Sequence, residues 1–478
     1  MGLGSKLKRF VGSDLIDDVQ QQLKDVMDQG LDKHIKIAVT GLSRSGKTVF
    51  ITSLTHHLLQ AHHSKSLPFF SAAGDHRILS VKNISDKSTF PFPLSDAVDA
   101  LSQEPPHWPP STTGLSEVRL AIKYKPGNRL KRLLTDSATL YLDIIDYPGE
   151  WLLDLPLLNQ NFEQWCDKQR KLFDAEPRAS VASSWLTAMQ AVDWLAPADD
   201  ALIAQLSRDY TALLHQLRQQ PYALSLLQPG RCILPGDMAN DPLLMLFPII
   251  PALDSHAEIP ENSAYARLRQ RYSDYREHVV KRFYREHFSR FDRQVVLVDC
   301  LKALNNGKPC FDDMKLALTD ILQSFNYGSS GFLRRLFSPR IDKVLFASSK
   351  ADHVTANQHH NLDKFLELII QDAQRDMRFE EIDTSCLAVA SIRSTESAQA
   401  KLDGQQISCL KGLDKTTGEV VALFPGEVPV ELPTDHDWNS SRFQFVDFAP
   451  KKLPSNDLKP EHHIRLDQAL EYLTGDLF

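Results

Sequence analysis

Paired cysteines are absent from the sequence. Its six cysteines are dispersed along the chain, and no two of them have CxxC spacing. This distribution argues against a zinc module and fits a reducing compartment. The histidine pairs at 56/57, 62/63 and 359/360 have no aspartate or cysteine at metal-binding spacing around them. They are interpreted as surface or core histidines rather than as zinc ligands.

Long apolar runs are also absent. No stretch approaches the roughly 18 uninterrupted apolar residues of a membrane-spanning helix, and the N-terminus, MGLGSKLKRFVGSDLIDD, lacks the apolar centre of a signal peptide. The longest apolar patch, PLLMLFPIIPAL at 242–253, is interrupted by two prolines and is expected to pack inside a helical domain rather than to contact a membrane or partner. We therefore expect a cytoplasmic protein without a transmembrane segment. Peripheral contact with the inner membrane stays open as an alternative.

An excess of positive charge is the third feature that the chain lacks. It has 54 Lys and Arg against 61 Asp and Glu, so no global attraction to nucleic acid or anionic lipid is expected. The segment 265–293 is locally rich in arginine, but its apolar positions recur at helical spacing: Tyr265, Leu268, Tyr272, Tyr275, Val279 and Phe283. A long helix with a solvated basic face is the preferred interpretation, and a surface for nucleic acid or lipid is the alternative.

Several apolar runs bounded by polar turns are typical of β-strands. They lie at 35–40, 117–124, 139–146, 294–300, 343–348 and 384–390. Helical stretches, including 48–60 and 357–376, lie between several of them. This alternation predicts an α/β fold with a mostly parallel sheet covered on both faces. The run 117–124 alternates more than the others and is expected at an edge of the sheet.

The remaining segments predict elaborations of this α/β fold. A helical segment is expected at 1–34, and the sheet is expected from 35–150 and 294–400, with a helical insertion at 151–293. After residue 400, two strand-like runs flank the turn sequence DKTTGE, which predicts a small β appendage, and RLDQALEYLTGDLF predicts a closing helix within 401–478. The Pro- and Ser/Thr-rich segment 88–114 is expected to be a mobile loop.

The sequence GLSRSGKT at 41–48 matches a phosphate-binding loop between a predicted strand and a predicted helix. Gly41 and Gly46 permit the backbone conformations that turn N–H groups towards an anion at a helix N-terminus. Lys47 is expected to reach the β- and γ-phosphates and Thr48 to bind Mg²⁺. The nucleotide-binding residues predicted here are Gly41, Ser43, Arg44, Ser45, Gly46, Lys47, Thr48 and Val49.

A DxxG element, DYPG at 146–149, ends the strand 139–146. Asp146 is expected to hold the Mg²⁺ shell, and the Gly149 N–H to sense the γ-phosphate and move on hydrolysis. A threonine that binds Mg²⁺ and closes over the γ-phosphate is expected before the preceding strand. Thr112 and Thr113 are the candidates, Thr113 is preferred, and an ordinary loop threonine is the alternative for either.

Base selection is predicted at SKAD, residues 349–352, after another strand. The Asp352 carboxylate can accept hydrogen bonds from N1–H and the 2-amine of guanine, which adenine lacks, while the Lys350 stem lies over the ring. Ser349 occupies the first position of this element. Ser391 and Ile392 follow the last predicted strand, where a backbone N–H can meet guanine O6; a plain strand-to-helix turn is the alternative there.

Taken in this order, GLSRSGKT, STTG, DYPGE and SKAD resemble the elements of a Ras-like P-loop GTPase of the TRAFAC type. With LDIIDYPGEWLLDLPLL, the helical insertion and the closing RLDQALEYLTGD, most of the chain resembles the YcjX family of bacterial stress-associated GTP-binding proteins. The resemblance implies binding of GTP and GDP, slow Mg²⁺-dependent hydrolysis, and a switch in a stress response. The effector that it implies is unknown and is expected at the helical insertion.

Two positions bear on catalysis. Ras-like enzymes place a water-orienting glutamine after DxxG, where this chain has Glu150, whose negative charge the γ-phosphate repels. Arg44 occupies a loop position where guanylate-binding proteins and atlastins, with similar loops, carry an arginine that turns inward when two GTPase domains meet, which implies a nucleotide-dependent dimer. The alternative is that Arg44 points to solvent or to a carboxylate of the insertion. The catalytic candidates are Lys47, Arg44, Thr113 and Glu150, and the metal ligands are Thr48, Thr113 and Asp146.

Three functional hypotheses follow from these motifs. The first is a regulatory GTPase. The second is an interaction scaffold with a structural, barely hydrolysed guanine nucleotide, which Glu150 in place of glutamine favours. The third is an ATP-dependent kinase or motor, which the SKAD element disfavours because guanine selection has no use there.

Overall fold

A computed structural model describes residues 32–42, 45–127, 135–252, 258–325, 341–379, 382–402, 405–440 and 442–478. Most of the predicted N-terminal segment 1–34 lies outside these ranges. Of the residues inside them, Lys33 and His34 already belong to the first strand and not to a helix.

A seven-stranded sheet in the order β2-β3-β4-β1-β5-β6-β7 forms the centre of the molecule. Its strands are β1 Lys33–Gly41, β2 Ile78–Asn83, β3 Ser116–Tyr124, β4 Ala138–Asp146, β5 Arg293–Val298, β6 Lys343–Ser348 and β7 Asp383–Ala388. The five strands from β4 to β7 are parallel, whereas β3 and β2 run antiparallel to their neighbours. The carboxyl ends of the parallel strands therefore meet at one edge of the sheet, where open α/β sheets bind ligands.

All six strand runs predicted before residue 400 form strands of this sheet, which confirms the mostly parallel α/β fold. The expected edge position of 117–124 was wrong, because β2 pairs outside β3 over Ile78 to Asn83. The sequence of β2, ILSVKN, mixes polar and apolar residues and has little of the apolar signal of the buried strands.

Helices cover both faces of the sheet and build the insertion. In chain order they are α1 Lys47–Gln60, α2 Ser71–Gly74, α3 Leu94–Ser102, α4 Phe162–Phe173, α5 Arg178–Val181, α6 Ser183–Gln190, α7 Asp200–Arg218, α8 Gly230–Ile233, α9 Ala264–Tyr275, α10 Lys281–Glu286, α11 Cys300–Asn305, α12 Lys308–Phe325, α13 His359–Phe379, α14 Asp435–Asn439 and α15 Leu466–Thr474. In the part of the chain that the structure describes, no helix is both long and apolar enough to span a bilayer.

The described residues between β4 and β5 form helices and no strand, as the predicted insertion requires. Helices α9 and α10 are joined by a π-helical segment, Arg276–Val280, and all six apolar positions of the predicted stripe are buried. Tyr275 of this stripe donates a 2.6 Å hydrogen bond to Asp154 in the segment after β4. From the apolar patch at 242–253, Leu246, Phe247 and Ile249 are buried in the same core, so the expected internal packing is confirmed.

Two features differ from the expectations for the loops. Helix α3 lies within 88–114, where a mobile loop was predicted, and its Leu101 is fully buried. The appendage is a three-stranded antiparallel sheet of β8 Glu396–Leu402, β9 Gln405–Leu413 and β10 Val420–Leu423. The boundary expected at 400 therefore falls inside β8. The closing helix is confirmed as α15, whose Leu466 and Leu470 pack in the core beside β1.

Burial of His57 in α1 makes stability depend on pH. Neither of its ring nitrogens has a hydrogen-bond partner among the described residues, and its ring lies edge-on to His463 with 4.9 Å between centroids. Burial, together with the smaller effect of the nearby His463, His56 and His462, lowers the pKa of His57 to about 2. The pKa of His57 is lower in the folded protein than in the unfolded chain. Its neutral ring therefore contributes fully to the free energy of unfolding above about pH 6.5, and this contribution is lost as the pH falls.

We expect this one group to remove about 2 kcal/mol of unfolding free energy between pH 7 and pH 5. In His57→Phe, urea unfolding at the two pH values should show a smaller loss by about that amount. The matched control is His62→Phe, since His62 is exposed just beyond the end of the same helix. An unchanged pH dependence in His57→Phe would show that His57 is not the titrating group.

Candidate nucleotide-binding site

The phosphate-binding loop joins β1 to α1 at the carboxyl edge of the sheet. Gly46 has a left-handed backbone with φ of 88°, and Lys47 begins α1. The Lys47 Nζ atom lies 3.4 Å from the carbonyl oxygen of Gly41. Any side chain at Gly41 would collide with the Leu297 carbonyl, which lies 2.6 Å from an added Cβ. Ser43 and Arg44 lie outside the described residues, so the predicted orientation of Arg44 stays a prediction.

Three oxygen-bearing side chains meet beside this loop. The Thr48 and Thr112 hydroxyl oxygens are 3.2 Å apart, and the Thr112 hydroxyl donates a short hydrogen bond to Asp146 Oδ2. Burial raises the pKa of Asp146 to about 6, while the charge of Lys47 and the bond from Thr112 oppose that rise. The second oxygen, Asp146 Oδ1, is buried and has no partner among the described residues. A hard oxygen-binding cation such as Mg²⁺ fits this set.

This arrangement favours Thr112 over Thr113, the candidate that was preferred from the sequence. Thr113 is exposed, whereas Thr112 is partly buried and contacts both Thr48 and Asp146. The two threonines are adjacent in a loop without periodicity, so spacing alone could not distinguish them.

The DxxG segment lies against the phosphate loop. An added Cβ at Gly149 would lie 2.1 Å from the Gly41 carbonyl oxygen, so only glycine fits there. Glu150, the next residue, is 6% exposed and accepts a 2.7 Å hydrogen bond from Arg218 at the end of α7. No motif marks Arg218, because helix packing and not sequence spacing brings it to Glu150.

The other end of the site contains the SKAD residues. Asp352 is buried, and its Oδ2 atom accepts a 2.7 Å hydrogen bond from the Ser394 N–H. Lys350 has a left-handed φ of 62°, and its ammonium is 2.9 Å from carboxylates of both Asp299 and Asp447. Burial lowers the pKa of Lys350, but these two carboxylates outweigh that effect and raise it above its usual value.

The remaining predicted residues, Ser349, Ser391 and Ile392, also make contacts within the fold. The Ser349 hydroxyl donates to the Val298 carbonyl at 3.3 Å, and the Ser391 carbonyl accepts from the Ser53 hydroxyl at 2.5 Å. Ile392 belongs to a small apolar cluster against which Val49 and Trp108 pack.

One cavity of about 480 Å³ connects the two ends. The predicted residues that line it are Ser45, Gly46, Lys47, Thr48, Val49, Thr112, Glu150, Ser349, Lys350, Asp352, Ser391 and Ile392. The lining also includes residues that the sequence did not indicate, among them Trp108, Arg218, Lys302, Lys415 and Asp447. Gly41, Asp146, Gly149 and the exposed Thr113 are not part of the lining. Across the described ranges, no group of three or more His, Cys, Asp or Glu side chains is placed to hold a metal ion.

A phosphate loop after the first strand of a mostly parallel sheet, followed by DxxG at the end of β4 and SKAD at the end of β6, defines a P-loop protein with a Ras-like fold. A family model described as the YcjX-like family, DUF463, matches residues 35–478. The chain belongs to this family.

Two curated relatives align with this chain over nearly the whole length of both proteins. A protein of Escherichia coli (strain K12) named "Ras-like GTPase YcjX" is 44% identical over 466 residues, which are 96% of this chain and 99% of the relative. A protein of the same name from Shewanella oneidensis is 40% identical over 475 residues, covering 96% and 97% of the two chains.

Proposed function

We propose that this protein binds GTP and GDP and hydrolyses GTP slowly, as a nucleotide-dependent regulatory switch. The observation that carries the proposal is the single cavity that has Lys47 and Thr48 at one end and Asp352 at the other. A phosphate group needs an ammonium and a hydroxyl such as those of Lys47 and Thr48, and a guanine base needs a carboxylate such as that of Asp352. The names of the two relatives support the same activity.

The direct test is nucleotide binding and phosphate release by the purified chain. We expect GDP and GTP to bind with higher affinity than ATP by at least about 10³-fold, since a buried carboxylate rejects a base that lacks the matching donors. Phosphate release from GTP should require Mg²⁺ and should be absent with EDTA. Equal affinities for GTP and ATP would contradict the base assignment, and bound GTP that is never hydrolysed would favour the scaffold hypothesis.

Thr48, Thr112 and Asp146 are the residues proposed to hold Mg²⁺. When bound, the cation neutralises phosphate charge and orients the β- and γ-phosphates. The contribution of the protein is the placement of three oxygen ligands beside the phosphate loop. Thr112 also connects this set to the loop that leads into β3, so its position is expected to depend on whether a γ-phosphate is present.

Thr112→Ala and Thr113→Ala form a matched pair of variants. Loss of the Thr112 hydroxyl removes a hydrogen bond to the Asp146 carboxylate and a proposed metal ligand, so we expect hydrolysis to fall on the order of 10- to 100-fold. Thr113→Ala should change the rate by less than about twofold, because the exposed hydroxyl has no comparable role. The measurement is phosphate release across a Mg²⁺ titration. A larger effect from Thr113→Ala would restore the original preference for that residue.

The helical insertion is the proposed route to an effector. Glu150, which follows Gly149 directly, bonds to Arg218, and Asp154 four residues later bonds to Tyr275. We therefore expect a change at the γ-phosphate to be transmitted to the insertion. Effector capture that depends on GTP and is lost when α9 is altered on its exposed face would support this role. The place in a stress response rests on the family resemblance alone, and normal survival of a deletion strain under stress would contradict it.

A further inference from the structure

An ion pair between the insertion and the DxxG segment lies beside the phosphate loop. The Arg218 Nη2 atom is 2.7 Å from Glu150 Oε1, and the Glu150 side chain is 7% exposed. Both side chains line the cavity that contains Lys47 and Thr48. They also line a smaller cavity bordered by Leu42 and Gly149. Arg218 therefore lies beside the phosphate loop and the DxxG segment.

Contacts with the insertion fix the backbone at Glu150, and helix α7 fixes the backbone at Arg218. An added Cβ at Gly230 would lie 1.9 Å from the Glu150 carbonyl oxygen, so the insertion contacts the Glu150 backbone directly. Asp154 accepts a 2.8 Å hydrogen bond from the Gly230 N–H and a second bond from Tyr275. Arg218 is the last residue of the 19-residue helix α7. Its guanidinium is thus presented by a helix end, where a cation is favourable, to a carboxylate whose position is fixed.

The charges explain why glutamate can stand next to a γ-phosphate. A lone carboxylate there is repelled by the nucleotide, but an arginine offsets its charge. A guanidinium also has five N–H donors in a planar fork, so it can bind a carboxylate and a phosphate at the same time. Glu150 then holds Arg218 instead of opposing the reaction.

We propose that Arg218 is a catalytic arginine supplied by the same chain, with Glu150 as the positioning residue that aims it at the γ-phosphate. This assignment rests on the proposed GTP hydrolysis. In that step a water oxygen bonds to the γ-phosphorus as the bond from phosphorus to the β–γ bridging oxygen breaks. The products are GDP and inorganic phosphate, which keeps one water proton while the other goes to solvent. Arg218 stabilises the negative charge that grows on the γ-phosphoryl and bridging oxygens.

The test is single-turnover GTP hydrolysis by wild type, Arg218→Ala, Arg218→Lys and a control, Arg208→Ala. Arg208 lies on the same helix, is exposed and bonds to Gln205, so its loss removes an arginine without touching the site. We expect Arg218→Ala to slow hydrolysis on the order of 10³-fold. GDP affinity, measured with a fluorescent analogue, should stay within about threefold, because the interaction is made mainly in the transition state.

Arg218→Lys keeps the charge and guards against misfolding, and it should recover little of the rate because an ammonium lacks the planar fork. Added guanidinium ion should restore part of the activity of Arg218→Ala and should not raise the rate of the wild type. Glu150→Gln should lower the rate less than Arg218→Ala, since an amide oxygen still accepts the hydrogen bond. The rate per molecule should not change with protein concentration.

If Arg218→Ala hydrolysed GTP at the wild-type rate, the assignment of Arg218 would be overturned and the GTPase proposal would stay intact. A rate that rises with protein concentration and survives Arg218→Ala would also overturn it, in favour of an arginine from a second copy, such as Arg44. A wild-type protein that binds GTP and releases no phosphate would overturn the proposed hydrolysis itself.

Discussion

Lys47→Ala should lose GTP and GDP affinity on the order of 10²- to 10³-fold, a difference of about 3 to 4 kcal/mol. Lys47 lines the phosphate end of the cavity, and its ammonium is proposed to meet the β- and γ-phosphates. Alanine removes these charge-assisted hydrogen bonds and keeps the helix propensity at the start of α1. Isothermal titration with GDP and Mg²⁺ measures the loss.

The control for this variant is Lys65→Ala, because Lys65 is exposed shortly after the end of α1. It should bind GDP as wild type does. Thermal unfolding without nucleotide should be similar for all three proteins, because the hydrogen bond from the Lys47 ammonium to the Gly41 carbonyl oxygen is long, at 3.4 Å. If Lys47→Ala kept wild-type affinity, the nucleotide would have to bind elsewhere.

Asp352→Ala should reduce the preference for GTP over ATP by at least about 10²-fold, mainly through loss of GTP affinity. The buried Asp352 carboxylate lies at the base end of the cavity and is oriented by the Ser394 N–H. A guanine then leaves its N1–H and 2-amine without a buried acceptor, whereas adenine loses nothing. Competition between the two nucleotides for a fluorescent GDP analogue gives the ratio.

Asp352→Asn tests the same base assignment through a gain in binding of a different base. Xanthine carries a carbonyl where guanine carries the 2-amine, so an asparagine amide can donate to it while its oxygen still accepts from N1–H. We expect weaker GTP binding and a gain in binding of xanthosine triphosphate on the order of 10²-fold. If xanthosine triphosphate bound no better than to wild type, Asp352 would not face the base.

The fold was largely predictable because buried parallel strands are continuous apolar runs, which polar turns delimit clearly. The missed strand β2 has a mixed sequence and pairs on only one side, so its signal is weak. Helix α3 was missed because prolines and serines surround it, and its burial depends on contacts that sequence periodicity does not show.

The residues of the candidate site also fall into a group that the sequence indicates and a group that it does not. Lys47, Asp146 and Asp352 belong to short motifs in which backbone geometry requires given residues at given spacings, and those could be predicted. Arg218 and Asp447 come from segments far away in the sequence and reach the site only through tertiary packing. No local pattern indicates such residues, and a structure is needed to find them.

The link between Lys350 and Asp447 has a consequence for how the protein is made. The phosphate end of the site is encoded by residues near position 47, but one of the two carboxylates that hold Lys350 at the base end lies at 447. Helix α15, which packs in the core beside β1, comes later still, at Leu466–Thr474. During synthesis on a ribosome, the base end of the site therefore remains incomplete until almost the whole chain has emerged, and a product that ends before Asp447 lacks part of the proposed guanine pocket.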